Sequence, residues 1–426
     1  MANVDFDLAI VGADSAGLAA AATAAGLGKS VVVFKTGFEL PDLCAAPFVP
    51  DAAWQRLALY SRFNQPVRSR PRRTIFTRSK SDPLEVFGST SVGIQNAGAL
   101  GDDGLRASEV WSEFVRTAAQ IPMSVASVSN LFADLTTRLG PAPTDTADAF
   151  LDQFFASEDL KAHLSVSCLS QFGLAGDEPG SISGLGTFSE EGFPASLREG
   201  EITSTLREIC AERNVVVSER RLQGVKLQRN GVFVLDIHEG SESKARNVMA
   251  SDARLAQLFG IRPTPQISPL TETRYACGYV TATFADSPQT EHFRDDAQYI
   301  VVKSRDQIRR ARDDAAVGRA PVDGPLVVVT NERKIVIAAP FCPITLIDNG
   351  IGREWASQDR QAFGRAILDR LKSEFRLSAL PLKIDVQLNG QSKVQQSRGL
   401  TIDCPKPAAN SVGAAIELAD RMVAHA

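Results

Sequence analysis

Histidine and cysteine, the residue types that build many catalytic and metal centres, are scarce here: 426 residues include four histidines and six cysteines. His163, His238, His292 and His425 are dispersed. Cys44, Cys168, Cys210, Cys277, Cys342 and Cys404 are dispersed too, with no Cys-x-x-Cys pair. That spacing argues against a zinc site and a disulfide framework, so reduced, mostly structural thiols and no metal are expected. No Ser/His/Asp or Cys/His arrangement is legible from spacing, and no residue is assigned as catalytic. Long apolar runs are also missing. No uninterrupted stretch reaches the ~20 residues that cross a bilayer, and the opening "MANVDFD" has neither the basic start nor the apolar core of a secretion signal. Cytoplasmic residence is the resulting expectation. Finally, no strong charge excess exists: a formal net charge of -4 gives no electrostatic case for nucleic acid as a partner.

What is present is an ordinary globular balance, 44% hydrophobic and 23% charged residues, on a chain too long for one core. Two or three domains are expected, in series or interleaved. The clearest local signal is "LAIVGADSAGLAAAATAAGLGKSVVVFKTG", Leu8 to Gly37. Leu8 to Val11 reads as a strand, Gly12 to Gly17 as a turn, Leu18 to Ala25 as an alanine-rich helix and Val31 to Phe34 as a second strand. That order makes a right-handed βαβ unit. In the dinucleotide fingerprint Gly-x-Gly-x-x-Gly, the first glycine makes the tight turn, the second admits the diphosphate and the third lets helix and strand approach. Here Gly12 and Gly17 hold the outer positions and Asp14 the middle one. A carboxylate there adds bulk and negative charge where two phosphates would meet the helix N-terminus. The second strand ends at Lys35, a donor, where an acid normally accepts from the adenosine ribose. Lys35 would suit the 2′-phosphate of NADP instead, but Asp14 would still repel the diphosphate.

Further along, "VRSRPRRTIFTRSKSD" carries Arg68, Arg70, Arg72, Arg73, Arg78 and Lys80. A solvated strand or hairpin is the plainer reading. The functional one is a peripheral contact with an anionic membrane surface through Arg68, Arg70, Arg72 and Arg73, or with an acidic partner. A helix is expected from Ser108 to Gln120. Two more lie in "TADAFLDQFFASEDLKAHLSVSCLSQFGL", with Phe150, Leu151, Phe154, Phe155, Leu160 and Leu164 inward, as core or as the wall of an apolar cavity. A helix of about 15 residues follows "GTFSEEGFPAS", then a hairpin around "QRNG". The stretch from Arg274 to Phe341 reads as strand-dominated. "WASQDRQAFGRAILDRLKSEF" and "SVGAAIELADRMVAHA" complete the helices.

The order of these elements, with "FLDQFFASEDLKAHLSVSCLSQFGLAGDEPGS", "GFPASLREGEITSTLREICAERNVVVSERRLQGVKL", "ARNVMASDARLAQLFG" and "GLTIDCPKPAANSVGAAIELADRM", resembles the FAD-dependent phytoene desaturase and amine oxidase superfamily, its phytoene-desaturase branch most closely. The resemblance spans most of the chain. It implies an α/β fold in which a Rossmann-like FAD/NAD(P)-binding domain (1–60, 190–265 and 395–426) is interleaved with an α+β substrate domain (61–189 and 266–394). Such enzymes oxidise apolar isoprenoid or amine substrates by hydride transfer to the flavin. Among the positions that would touch the flavin, several depart from the pattern. The positions are Gly12, Asp14, Gly17 and Lys35; Gly192, kept in the glycine-rich loop but followed by Phe193 and Pro194; and Cys404 and Gly413 of the C-terminal motif, with Cys404 and Pro405 where a Gly-Asp or Gly-Glu pair belongs.

The expectation is therefore a pseudoenzyme with FAD lost or weakened, no cofactor favoured, acting by binding an apolar small molecule or a partner protein. The GDP-dissociation-inhibitor group, similar to flavoenzymes in fold, offers an analogy. The alternative is an active FAD-dependent oxidoreductase, of desaturase or amine-oxidase type, with an altered dinucleotide site in which Lys35 or Lys406 contacts phosphate. If Asp14 and Lys35 are the main obstacles, Asp14→Gly with Lys35→Glu improves FAD affinity. A site assembled between subunits is a third arrangement; the sequence does not fix the oligomeric state.

Overall fold

The computed structural model describes residues 4–35, 41, 51–63, 73–77, 83–87, 146–169, 175–178, 181, 198–220, 222–238, 240–250, 275–285, 297–331, 333–375, 377, 379–390 and 411–424. Among these, two large sheets organise the chain.

The first sheet has six strands in the order β5-β2-β1-β8-β7-β6: β1 (Phe6–Val11), β2 (Val31–Phe34), β5 (Val216–Ser218), β6 (Leu222–Leu227), β7 (Phe233–Ile237) and β8 (Ser241–Ala250). β5, β2, β1 and β8 are parallel, and β8, β7 and β6 form an antiparallel meander. Leu8, Ile10, Val31, Val33 and Met249 feed one core. Ala9, Val11, Val32 and Phe34 join Leu222, Val225, Phe233, Leu235, Ala245 and Val248 in another. Burial on both faces explains why these central strands are continuously apolar.

Three helices cover the first face: α1 (Ser15–Gly26), α5 (Glu199–Glu212) and α8 (Ser411–Ala424). From Ser15 to Ala24 every α1 residue is buried. Its alanines let α5 and α8 come close. α2 (Asp51–Arg56) adds Trp54, which meets Tyr60 and Phe63 at ring separations of 5.3 and 5.5 Å. Arg56 pairs with Asp420 of α8.

The second sheet has seven strands in the order β15-β9-β12-β11-β10-β3-β4: β3 (Arg73–Thr77), β4 (Pro83–Phe87), β9 (Tyr275–Thr283), β10 (Ala297–Val301), β11 (Leu326–Asn331), β12 (Lys334–Pro343) and β15 (Lys383–Gly390). All its pairings are antiparallel except β10 with β3. α7 (Ser357–Phe375) buries Phe363, Ile367, Leu368, Leu371 and Phe375 against it. α3 (Ala147–Phe154) and α4 (Glu158–Leu169) pack on each other, and α6 (Arg305–Ala316) lies on β12 and against α4. Of the basic stretch only 73–77 are described, as β3, which pairs antiparallel with β4 just beyond it; Arg68, Arg70, Arg72, Arg78 and Lys80 lie outside the described residues.

Three features differ from the sequence reading. Helix α1 begins at Ser15, not Leu18, because Asp14 caps it. The stretch expected to be strand-dominated contains α6, started by the Ser304 side chain, which accepts from the Gln307 amide at 3.3 Å, and held by Ile308, Ala311 and Ala315 on one face. A hairpin absent from that reading joins β13 (Leu346–Asp348) to β14 (Ile351–Arg353). Its turn is Asn349-Gly350, with φ of +50° and +80°, the left-handed pair that a two-residue hairpin needs. The helices expected at 108–120 and after "ARNVMASD" lie outside the described residues. Of the inward set, Phe150, Leu151, Phe155, Leu160 and Leu164 are buried.

Candidate functional site

The βαβ turn is the best-defined candidate. β1 stops at Gly12, whose φ of +122° is open to glycine alone among these residues and whose N–H donates to the Phe34 carbonyl at 2.9 Å. Gly17 faces that turn. A Cβ on it would stand 2.0 Å from the Gly12 carbonyl oxygen, so helix and strand touch through bare backbone. The first and third glycines thus do what the fingerprint asks of them.

The middle position does something else. Asp14 has φ −79° and ψ 177°, an extended N-cap conformation, and its Oδ1 accepts from the Gly17 N–H at 2.8 Å. Aspartate is among the best N-caps because it satisfies an otherwise orphaned amide and places negative charge at the positive end of the helix. A second carboxylate arrives from 184 positions away. Glu199, the first residue of α5 and only 3% exposed, accepts the Ser15 N–H through Oε1 at 3.0 Å. Sequence reasoning missed Glu199, since nothing local announces a partner so distant.

Lys35 follows β2 at the neighbouring strand end and pairs with Glu219 at 2.6 Å, just beyond β5. Glu219 is largely exposed, so the pair is worth about 0–1 kcal/mol, yet it supplies the ammonium with a carboxylate. Gly413 lies in α8, the helix packed along α1. The structure therefore brings Gly12, Asp14, Gly17 and Lys35 to one end of the parallel strands. Gly192, Cys404 and Lys406 lie outside the described residues.

An FAD-type dinucleotide fits this turn in part. The backbone geometry at Gly12 and Gly17 suits it. The amides of Ser15 and Gly17, donors that a diphosphate would take at a helix N-terminus, are already given to Glu199 and Asp14, and the ribose-accepting acid is replaced by an engaged lysine. The two carboxylates on the Ser15 and Gly17 amides are what does not fit a diphosphate here.

Elsewhere, α3, α4 and α6 share a charge network. Arg305 reaches Asp152 at 2.9 Å and Glu158 at 2.7 Å, Lys161 reaches the same two acids at 2.7 and 2.9 Å, and Arg309 pairs with Asp148 at 2.7 Å. The hydrogen bond from Lys161 leads the effects holding the Glu158 carboxyl below its ordinary range, so the network acts as an anionic clamp on buried cations. Burial pushes the Cys210 and Cys277 thiols up to about 12, and raises Cys342 further with Cys277 nearby, so all three hold their protons at neutral pH. Among the described residues no cluster of three His, Cys, Asp or Glu side chains converges as a metal site, and no helix is long and apolar enough to cross a membrane.

Comparison with known proteins gives the frame a name. No protein-family model matches this sequence, and no curated protein matches it. Solved structures do. Cyclohexylamine oxidase from Brevibacterium oxydans IH-35A superposes with a TM-score of 0.53 at 12% identity over 99% of both chains. A double mutant of putrescine oxidase, from a redesign of its cofactor binding, gives 0.54 at 13% over 99% of both. The chain has the amine-oxidase fold. Wild-type putrescine oxidase bound to putrescine gives 0.51 at 14% identity, over 99% of this chain and 98% of the oxidase. The superfamily resemblance seen in the sequence and the amine-oxidase fold of the whole chain agree.

Proposed function

We propose that this chain is an amine-oxidase-fold protein that has lost or weakened its hold on FAD and acts by binding an apolar small molecule or a partner protein. One observation carries the reading: two of the amides at the start of α1, those of Ser15 and Gly17, are bonded to the chain's own carboxylates where a diphosphate would sit. A dinucleotide would have to displace two anions before gaining the same donors, and each such contact is worth about 0.3–2 kcal/mol. The apolar ligand or protein partner is the role left to the frame when the cofactor chemistry is set aside.

A second reading has its own support. An FAD-dependent oxidoreductase of amine-oxidase type with an altered dinucleotide site is favoured by the fold comparisons, because each neighbour named above is an amine oxidase matched over nearly its whole length. The two readings part at one measurement: the visible absorption spectrum of freshly purified protein, repeated after incubation with excess FAD and desalting. Colourless protein in both states supports the first reading. Stoichiometric flavin bands overturn it and direct the search to amine and alkene substrates.

A further inference from the structure

Helices α1 and α5 pack on each other and are joined at three points. At their N-termini Glu199 accepts from the Ser15 amide. Further along, the Cys210 thiol donates to the Leu18 carbonyl at 3.4 Å, and the Arg213 guanidinium donates to the Ala22 carbonyl at 2.6 Å. The positive ends of two helix dipoles therefore converge, and the group between them is a carboxylate 97% removed from solvent, Glu199 being 3% exposed. At the start of α5 itself a different acid serves, Glu201, whose Oε2 accepts from the Arg198 amide at 2.8 Å.

We infer that Glu199 is an internal surrogate for a dinucleotide diphosphate: it supplies the anion that the paired N-termini of α1 and α5 require, keeping the fold closed without cofactor and barring external phosphate. The inference rests on the first reading above and deepens it by assigning the barrier to one residue. Asp14 caps its own helix and would do so in any isolated α1. Glu199 comes from a different element and occupies a buried junction, so its removal leaves a gap and deprives the Ser15 amide of its acceptor. Glu199 is a positioning residue here, not a catalytic one. The assignment also revises the expectation for the double variant Asp14→Gly with Lys35→Glu: that change leaves the Ser15 amide engaged and yields little gain in FAD affinity unless Glu199 is changed too.

The test uses the full chain and inorganic pyrophosphate as probe, read by thermal unfolding and by calorimetric titration. Wild type is expected to show no pyrophosphate-dependent shift. Glu199→Ala is expected to melt lower than wild type, to regain stability with pyrophosphate, and to bind it roughly tenfold or more tightly than wild type does. Glu199→Gln keeps the size and an acceptor oxygen but not the charge. It is expected to fold and to bind pyrophosphate more tightly than wild type but more weakly than Glu199→Ala, and the comparison with wild type keeps the test alive if the alanine variant does not fold. Equal pyrophosphate affinity in wild type and both variants overturns the inference, as does a Glu199→Ala protein as stable as wild type. Colourless wild type with unresponsive variants refutes only the surrogate role. Flavin retained by wild type refutes the reading beneath it.

Discussion

Gly17→Ala is the sharpest probe of the strand-to-helix turn. The added Cβ would stand 2.0 Å from the Gly12 carbonyl oxygen and 3.0 Å from its carbon, where ordinary contact begins near 3.4 Å, so two backbones must part by about 1.4 Å. Neither can yield easily: Gly12 is fixed by its bond to Phe34, and α1 is enclosed by β1, α5 and α8. Overpacking of this kind costs about 1–3 kcal/mol or more. Shifting the helix start also weakens the Asp14 cap, about 1 kcal/mol, while alanine's better helix propensity returns about 1 kcal/mol. The cap and propensity terms offset each other, and the net expectation is a loss of about 1–3 kcal/mol or more. Gly26→Ala is the control. Its Cβ meets the Arg213 Nη1 at 2.9 Å, the far end of a flexible side chain, so the helix-propensity gain and the strained Arg213 contact nearly cancel, leaving stability within about 1 kcal/mol of wild type. Urea unfolding followed by far-ultraviolet circular dichroism measures both from midpoint and slope. Equal midpoints for the two variants, or a larger loss for Gly26→Ala, would refute the close backbone contact.

Two other outcomes test different parts of the structure. Cys210, Cys277 and Cys342 are expected to resist iodoacetamide at about pH 8 in the native protein and to react once it is unfolded, because burial holds their thiols protonated; rapid native labelling of any of the three, located by peptide mapping, contradicts this. The Asp7 carboxyl is held below its ordinary 3.8, chiefly by the backbone N–H of Ser30 at 3.0 Å and then by its hydroxyl at 2.9 Å, with burial opposing. A depressed carboxyl stabilises the fold above its unfolded value and loses that contribution as pH falls through the folded one. The stability gap between wild type and Asp7→Asn should therefore narrow from about pH 5 to about pH 3, and a gap constant over that range in denaturant titrations would contradict the assignment.

How much the sequence revealed depended on how local each signal was. The βαβ unit was legible because its strands are unbroken apolar runs and its glycines punctuate a single short stretch. Helix α7 was legible from its amphipathic spacing, and the β6–β7 hairpin from its turn residues. α6 was harder: its buried stripe uses one isoleucine and two alanines amid arginines and aspartates, so hydrophobicity is faint and the Ser304 cap is the better clue. The β13–β14 turn carried a plain Asn-Gly signal, but the flanking strands are only three residues each. The meaning of Asp14 was half legible. Its charge was visible, its capping role follows from ordinary helix chemistry, and the companion Glu199 was not, because that contact exists only after the chain has folded back across 184 positions.

The position of α8 bears on how the protein is made. The alanine face of α1, complete within the first 26 residues, is covered by a helix that begins at Ser411. Between the two, a ribosome must add about 400 residues, which takes roughly 20–80 s at typical rates of synthesis. Throughout that time the most apolar of the described helices lacks this neighbour. Domain-by-domain folding during translation is thus denied to the first sheet, whose layer closes only when α8 leaves the exit tunnel. A stop codon placed just before Ser411 would yield a chain with every strand of both sheets and an uncovered α1, a species suited to chaperone capture and aggregation rather than to a stable truncated fold.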